Sequence, residues 1–331
     1  MKNKQQTPKT ILVVGGAGYI GSHVVCDLNE NGYYVIVYDN LSEGHKEAVC
    51  GNDFVCGDIN DSSALNEIFE NHKIDAVMHF SAYAYVGESV QNPEKYYKNN
   101  TAATINLLSA MLKYNVKNFI FSSTCATYGI PIYTPIDEQH PQNPINPYGA
   151  SKVMVERILS DYGKAYNLKY IALRYFNAAG AHPNGNIGES HKIETHLIPL
   201  VLKTLTKEKD SIHIFGTDYE TPDGTCIRDY IHVCDLAVAH RNALEMLLSG
   251  GESKYINLGT GIGISVKEII QACEKVTGMK VPAIFADRRP GDPPALVASN
   301  NYAKEILNFN PKYNIYDIVE TAWVWEKNKK Y

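Results

Sequence analysis

The sequence predicts an α/β protein built on a doubly wound parallel sheet, with a smaller α/β lobe interleaved with it. Short apolar runs rich in β-branched and aromatic residues alternate with longer runs of helical spacing through the first half of the chain. A glycine-rich turn stands directly between the first apolar run and the first helical run. This alternation produces parallel strands with helices on both faces of the sheet.

The first half supplies most of the predicted sheet. Strands are expected at Thr10–Val14, Tyr34–Tyr38, Ala76–Phe80, Asn118–Phe121 and Tyr170–Tyr175. Helices are expected at Tyr19–Asn31, Ser62–Asn71, Pro93–Tyr114 and Pro147–Asn167. Each helix is long enough to cross between neighbouring parallel strands.

After Asn177 the composition changes. Polar, glycine- or proline-containing loops are expected at Ala181–His196, Thr217–Thr225 and Asp287–Pro294, with a helix at Ile227–Leu248 and a strand at Tyr255–Leu258. We therefore predict a Rossmann-type cofactor-binding domain from residues 1–180 and about 230–260. The substrate lobe would consist of about 181–229 and 261–331.

Composition excludes several classes of protein. A net charge of −5 argues against a nucleic-acid binder with a basic surface. No apolar run approaches the roughly 20 residues of a membrane-spanning helix. Since residues 1–9 also lack a secretory cleavage site, the cytoplasm is expected. The seven cysteines have no CxxC spacing and the histidines no HExxH pattern, so we expect no metal and no disulfide.

The glycine-rich turn has the spacing GxxGxxG at Gly15, Gly18 and Gly21. The first glycine permits a tight turn, the second lets the backbone approach a pyrophosphate, and the third allows helix and strand to pack closely. Asp39 ends the next strand, 18 residues after Gly21. Its carboxylate would bind the adenine ribose and repel a 2′-phosphate, which favours NAD over NADP. Asp58 follows the third strand and is either an adenine contact or a turn residue.

A second motif places Tyr148 and Lys152 on one face of a helix. A tyrosine hydroxyl is a poor base at neutral pH, and a nearby ammonium and nicotinamide cation would lower its pKa. Such a tyrosine can take a proton from a sugar hydroxyl. Ser122-Ser123-Thr124 follow a predicted strand, so their hydroxyls would lie in the ligand crevice. Thr124 then either binds the reacting oxygen or caps a helix.

With these motifs in hand, the chain resembles the extended short-chain dehydrogenase/reductase family, and within it the nucleotide-sugar 4-epimerases. The resemblance runs from one end to the other. It is carried by GGAGYIGSH (15–23), YDNLS (38–42), GDI (57–59), HFSA (79–82), VGESVQNPEKYYKNN (86–100), LRYFNAAGAHP (173–183), IRDYIHVCDLA (227–237), YINLGTG (255–261), RRPGDPPAL (288–296) and TAWVWEK (321–327).

The resemblance implies a role for each matching residue. Tyr148 would be the acid/base, with Lys152 and Thr124 beside it. The residues implied to bind NAD are Gly15, Gly18, Tyr19, Ile20, Gly21, Asp39, Asn40, Asp58, Ile59, Phe80, Asn99, Ser122, Tyr148, Lys152 and Tyr175. Those implied to bind a UDP-sugar are Thr124, Asn177, His196, Leu197, Phe215, Arg228, Arg289, Asp292 and Leu296. Arg228 and Arg289 would hold the diphosphate through their paired donors.

The resemblance also implies a mechanism and a partner. Bound NAD would take hydride from sugar C4 while Tyr148 takes the hydroxyl proton, and a 4-keto sugar would turn over before hydride returns. A homodimer through helices near 93–114 and 148–166 is implied. The chain departs from some members at Thr124 (often Ser), Ala84 (Lys in some) and His196 (Asn in some). Leu296 stands where members restricted to unsubstituted sugars often have Tyr, so we expect N-acetylated UDP-sugars to be accepted too.

Two alternatives stay open at this point. A sister enzyme could act on UDP-glucuronate, whereas a dehydratase would need an acidic pair beside Thr124, where Cys125 and Ala126 stand. A non-enzymatic NAD-binding scaffold is disfavoured because Tyr148 and Lys152 are both present.

Overall fold

The computed structural model describes residues 8–289 and 291–331, and its centre is a seven-stranded parallel sheet. The strands are β1 (Thr10–Val14), β2 (Tyr34–Asp39), β3 (Asp53–Cys56), β4 (Ala76–His79), β5 (Asn118–Thr124), β6 (Lys169–Tyr175), β7 (Asn177–Ala179), β8 (Ile212–Phe215), β9 (Ile227–His232), β10 (Lys254–Leu258), β11 (Gly263–Ser265), β12 (Ala283–Ala286) and β13 (Ala295–Leu296). The order in the main sheet is β10-β6-β5-β4-β1-β2-β3. The strand order reverses between β1 and β4, where ligands bind in such sheets.

Helices cover both faces of this sheet. They are α1 (Tyr19–Glu30), α2 (Ser62–Asn71), α3 (Val86–Gln91), α4 (Pro93–Tyr96), α5 (Ala103–Lys113), α6 (Pro147–Tyr166), α7 (Leu197–Leu205), α8 (Val233–Leu248), α9 (Val266–Thr277), α10 (Asn301–Leu307) and α11 (Ile315–Lys327). One face packs on α1 and α8 and the other on α2, α5 and α6. The predicted doubly wound α/β class is confirmed.

A second apolar core lies outside the main sheet. Helices α7, α9 and α11 pack around apolar side chains that include Val201, Ile269 and Val319, each 0% exposed. A small sheet pairs β9 with β7, β11 and β13, while β8 pairs with β12. β9 leads directly into α8, so the chain passes from this small sheet back to a helix that packs on the main sheet.

Three predicted elements need correction. Ile227–Leu248 is not one helix, because Ile227–His232 pairs with three strands from distant parts of the chain. The helix expected at 93–114 contains a π-helical stretch at Tyr97–Ala102. Asn118–Phe121 continues as strand to Thr124, since the pairing with β6 runs on to Tyr175.

The expectation of no disulfide is wrong for one pair of cysteines. The sulfurs of Cys26 and Cys50 lie at bonding distance, and their Cα atoms are 5.4 Å apart. This separation is within the range that a disulfide spans. Cys26 lies on α1 and Cys50 follows a short 3₁₀ turn at Lys46–Ala48. Sequence spacing could not reveal that these two segments pack together.

Candidate active site

A cavity of about 1060 Å³ opens at the carboxyl ends of β1, β2, β4, β5 and β6. The predicted cofactor residues that line it are Gly15, Gly18, Tyr19, Ile20, Gly21, Asp39, Asn40, Phe80, Asn99, Ser122, Tyr148, Lys152 and Tyr175. The predicted substrate residues that line it are Thr124, Asn177, His196, Arg228, Arg289, Asp292 and Leu296. The fold therefore brings the two sets into one continuous space.

The glycine-rich turn leaves room for a phosphate. Gly15 has a φ of +79°, and a Cβ there would lie 2.5 Å from the backbone nitrogen of Ser81. Gly18 is the N-cap of α1, where no side chain accepts a hydrogen bond and the first turn holds no acidic residue. The free N–H groups and the helix dipole suit an anion at this position. These residues fit a dinucleotide pyrophosphate.

Backbone N–H groups, one of them in the glycine-rich turn, fix the position of the Asp39 side chain. Its carboxylate accepts hydrogen bonds from the backbone N–H of Ala17 (3.0 Å) and of Leu41 (2.8 Å). Burial raises the pKa of Asp39, and these two N–H groups oppose the shift. The side chain thus fixes the turn while it also lines the cavity.

Two predicted cofactor residues lie outside this cavity lining. Asp58 accepts a hydrogen bond from the Asn40 side chain at 2.8 Å, and Asn40 in turn lines the cavity. Ile59 is 3% exposed and packs in the core beneath the sheet. A hydrogen bond with Asn40 thus links Asp58 to the cavity lining, and direct contacts of Asp58 and Ile59 with the cofactor stay predictions.

The local sequence explains how α6 presents Tyr148 and Lys152. Asn146 caps the helix by accepting a hydrogen bond from the Gly149 N–H at 2.9 Å, and Pro147 occupies the first turn. Tyr148 and Lys152 therefore lie on the first turns, facing the cavity. The Lys152 Nζ is 5.9 Å from the centroid of the Tyr148 ring.

The protein alone makes Tyr148 a weaker acid. Burial raises the pKa of Tyr148 to about 12, and a hydrogen bond with the Thr124 hydroxyl offsets this only in part. Burial also lowers the pKa of Lys152 to about 7, although the charge of Glu156 opposes that shift. The expected lowering of the tyrosine pKa by Lys152 is therefore not found in the chain by itself. A cationic ring bound beside Tyr148 would favour the phenolate.

Three further hydroxyl groups, those of Ser122, Thr124 and Tyr175, lie at the carboxyl ends of β5 and β6. The Ser122 and Tyr175 hydroxyls are hydrogen bonded to each other. The Thr124 hydroxyl accepts from the Ala126 N–H at 3.1 Å and so also caps a 3₁₀ turn. Both interpretations of Thr124, as a cap and as a cavity group, agree with its position.

The two predicted arginines meet at one carboxylate. Arg289 Nε lies 2.9 Å and Arg228 Nη2 3.5 Å from the Asp292 side chain. Arg228 also donates to the backbone carbonyls of Ile227 (2.8 Å) and Pro293 (2.9 Å). The guanidinium of Arg289 lies 5.1 Å from the centroid of the Phe215 ring. These side chains form a basic rim at the far end of the cavity.

A smaller cavity of about 280 Å³ adjoins this rim. Leu197 and Phe215, which do not line the large cavity, line this one together with Arg228 and Arg289. Leu296 pairs with Arg228 across parallel strands and packs near Tyr128 and Phe176. The predicted substrate residues thus line two adjoining cavities, and both cavities are lined by Asn177, His196, Arg228, Arg289 and Asp292.

Sequence reasoning missed a buried ion pair behind the site. Arg174 donates to Glu156 through Nε (2.9 Å) and Nη2 (2.7 Å), and the Ser123 hydroxyl donates to the same carboxylate at 2.6 Å. No local spacing indicated this pair, because Glu156 lies on α6 and Arg174 on β6. The pair links α6 to β5 and β6, the three elements that carry Lys152, Thr124 and Tyr175.

Within the described part of the chain, no helix has the length and apolar character needed to cross a membrane.

The profile of the NAD dependent epimerase/dehydratase family matches residues 11–259. The chain belongs to this family, and its cofactor is NAD.

Similar proteins cover the chain almost completely. It is 52% identical over 318 residues to a UDP-glucose 4-epimerase of Halalkalibacterium halodurans, covering 96% of this chain and 95% of that protein. The crystal structure of UDP-glucose 4-epimerase from Brucella ovis in complex with NAD has a TM-score of 0.94 and 52% identity, covering 95% and 97% of the two chains. The UDP-Glc/GlcNAc 4-epimerase of Campylobacter jejuni has a TM-score of 0.86 and 42% identity, covering 97% and 99%.

Proposed function

We propose that this protein is a UDP-glucose 4-epimerase, which interconverts UDP-glucose and UDP-galactose with bound NAD. The observation that carries the proposal is the single cavity in which the glycine-rich turn, Tyr148 and the two arginines meet. The names of the relatives, similar over nearly the whole chain, support the same activity.

The residues divide the chemistry between them. Bound NAD would supply a reversible hydride acceptor for sugar C4. Tyr148 takes the C4 hydroxyl proton in one direction and returns it in the other. Thr124 would hydrogen bond to the reacting oxygen. Lys152, whose Nζ lies 5.9 Å from the centroid of the Tyr148 ring, would stabilise the phenolate when it is protonated. Because burial disfavours the phenolate, the proton moves only when the site also holds a compensating positive charge.

Epimerisation at one carbon requires that both faces of a keto sugar be presented to the same ring. Arg228 and Arg289 would hold the diphosphate by charge-assisted hydrogen bonds, which are strong and directional. The sugar itself would lie beside Leu296 and Ala84, which offer no hydrogen-bonding side chain. Strong binding of the nucleotide together with weak binding of the hexose would let the keto sugar rotate in the pocket without dissociating.

The activity is tested by chromatography of nucleotide sugars after incubation with purified protein and no added NAD. We expect UDP-glucose to give UDP-galactose, because the cofactor stays bound through the cycle. If product forms only after NAD is added, the tightly bound cofactor is rejected but the activity is retained. If UDP-glucose is inert and UDP-glucuronate is epimerised, the substrate assignment is wrong.

We further propose that the sugar pocket accepts the N-acetylated pair, UDP-GlcNAc and UDP-GalNAc. Leu296 lines the large cavity where a larger aromatic side chain would reduce the space beside the sugar. The Campylobacter jejuni protein, named for both sugars, is 42% identical to this chain and supports the same breadth.

We also propose a homodimer through α5 and α6. Ile105 on α5 is 38% exposed, and Met154 and Tyr166 on α6 are 45% and 51% exposed. Exposed apolar side chains on adjacent helices would be buried by a twofold-related copy of the same helices. Sedimentation equilibrium of wild type and Met154→Glu tests this, since a charge at the interface would shift the protein towards monomer. An unchanged mass, or a monomeric wild type, contradicts the proposal.

A further inference from the structure

The loop that leads into α7 brings four metal-ligating side chains together. Glu189, His191, Glu194 and His196 each offer one ligand atom, and these atoms all lie within 4.8 Å of one another. His191 Nδ1 is 3.3 Å from Glu189 Oε1 and 3.4 Å from Glu194 Oε2. His196 Nδ1 is in contact with Glu189 and lies 3.9 Å from Glu194 Oε1.

The two separations from His191 suit a small tetrahedral metal ion, whereas His196, which is hydrogen bonded to Glu189, would have to move away from that carboxylate to make room for the ion. Zinc binds histidine nitrogen and carboxylate oxygen at about 2.0–2.2 Å, so the ligand atoms of a tetrahedral site lie about 3.3–3.6 Å apart. The two distances from His191 fall in this range. The ligand set, two imidazoles and two carboxylates, is one that zinc and related divalent transition metals accept.

Charge and burial point to a cation. The side chains of Glu189 and Glu194 are only 5% and 4% exposed. Among the described residues, no lysine or arginine forms an ion pair with either carboxylate; the two histidines are their ion-pair partners. Two carboxylates with neutral imidazoles carry a charge of −2, which either protons on the histidines or a divalent ion in their place would cancel. Buried carboxylates without such compensation are costly.

The surroundings already hold the ligands in place. Glu194 Oε1 accepts hydrogen bonds from the backbone N–H of Thr195 and of His196, both at 2.7 Å, which leaves Oε2 for a metal. The Trp325 indole N–H donates to the Glu189 backbone carbonyl at 2.8 Å. Outer contacts of this kind orient the ligands of metal sites.

We infer that Glu189, His191, Glu194 and His196 form a structural site for Zn²⁺ or a similar divalent transition metal. Four protein ligands leave no open coordination position, so the ion would stabilise the loop and take no part in the chemistry. Spacing rules based on CxxC and HExxH do not detect the pattern E-x-H-x₂-E-x-H, which is why the sequence predicted no metal.

The location gives the site a consequence for substrate binding. The His191 ring packs edge-on against Tyr19 of the cofactor end of the cavity, with centroids 6.4 Å apart. His196 lines both cavities and directly precedes Leu197. A bound ion would therefore fix the segment that joins the cofactor end to the nucleotide-sugar end. The same four side chains would hold the ion whichever sugar is the substrate.

The test is metal binding by the purified, full-length protein. After removal of metals with a chelator, Zn²⁺ is titrated in competition with a coloured chelator, and Co²⁺ absorption reports the coordination. We expect one ion per chain and a tetrahedral Co²⁺ spectrum without the charge-transfer band of thiolate ligands. His191→Ala and Glu194→Gln should each weaken binding at least tenfold. His72→Ala, which changes a half-buried histidine at the end of α2, is the matched control and should bind as wild type.

A second measurement guards against variants that fail to fold. Melting of wild type is compared with and without saturating Zn²⁺, and ligand binding to the folded state should raise the melting temperature. His191→Ala should melt at one temperature in both conditions. Absence of stoichiometric binding to wild type, or binding that survives both ligand substitutions, would show a simple histidine–carboxylate network and overturn the inference.

Discussion

The Lys152 Nζ donates a hydrogen bond to the backbone carbonyl of Ser122 at 2.8 Å, which ties the first turns of α6 to the end of β5. This contact sets the position of Lys152 relative to the Tyr148 ring and keeps the amine out of bulk water. The same contact keeps Tyr148 near Thr124. The phenol and the amine on α6 are therefore held close to the threonine hydroxyl at the end of β5.

Removal of the Tyr148 hydroxyl should abolish turnover without loss of the fold. Tyr148→Phe keeps the ring and deletes the proton-transferring group, so we expect kcat to fall by about 10²–10⁴-fold. Tyr316→Phe, at an exposed position on α11, is the control and should retain wild-type kcat. Kinetics and circular dichroism of both variants check this. Turnover near the wild-type rate in Tyr148→Phe would mean that another group moves the proton.

Nucleotide binding should depend on Arg289 and not on the preceding residue, Arg288. Arg289→Ala should weaken the affinity for UDP by about 10- to 100-fold, the usual value of a charge-assisted hydrogen bond. Arg288 bonds instead to Asp218, at 2.7 Å, and stacks on Tyr219. Calorimetric titration with UDP should therefore find Arg288→Ala close to wild type. Equal losses in both variants would indicate a general effect of charge on the rim.

The range of UDP-sugars that the enzyme accepts should depend on the size of the side chain at Leu296. Leu296→Tyr should reduce kcat/KM for UDP-GlcNAc at least tenfold, since a rigid ring would occupy the space of the acetamido group. The value for UDP-glucose should change little. Leu296→Met, which conserves volume, is the control for the pair. A ratio of the two activities that stays the same in Leu296→Tyr would disprove the pocket argument.

Buried histidines should make the protein sensitive to acid. Burial lowers the pKa of His79 to about 3, so the folded protein keeps this ring neutral while the unfolded chain protonates it near pH 6.5. A depressed folded-state pKa gives a contribution to stability that is full above about pH 6.5 and is lost as the pH falls towards about 3. Between about pH 8 and about pH 5.5 this loss amounts to about 1.4 kcal/mol.

The variant His79→Asn removes that titration and can still hydrogen bond near Thr104, which accepts or donates at 2.9 Å in the wild type. Urea denaturation at the two pH values should show a smaller acid-induced loss of unfolding free energy in His79→Asn. The control His213→Asn, at an exposed position on β8, should follow wild type. If His79→Asn also follows wild type, the ring is not kept neutral in the folded state.

The main sheet could be predicted because its signals are local. Ser62–Asn71 has the same bounds in the sequence prediction and in the structure, since Asp61 caps it through the N–H groups of Ser63 and Ala64. The short strands of the second lobe gave no such signal. Ala295–Leu296 is a strand only because Ile227–Arg228 lies beside it. Pairings between distant segments leave no periodic pattern of their own. The proposed division into two lobes stays a prediction.

For the site, motif spacing identified the groups but not their environment. The glycine-rich turn, Tyr148 and Lys152 could be placed at one sheet edge from their positions after strands and on a helix. That burial would dominate the pKa of Tyr148 could not be deduced, because it depends on side chains from several elements. The same holds for Asp58, which reaches the cavity only through Asn40. The roles of individual residues stay predictions until the variants are measured.

The pairing of Arg228 and Arg289 with Asp292 has a final consequence. On the proposed mode of binding, an incoming diphosphate would replace the Asp292 carboxylate as the partner of the two arginines. Asp292 would pair with them again as the phosphates leave, which would favour release of the product. Such an exchange releases few ions to the solvent, and nucleotide affinity should therefore vary less with salt than two free arginines would suggest.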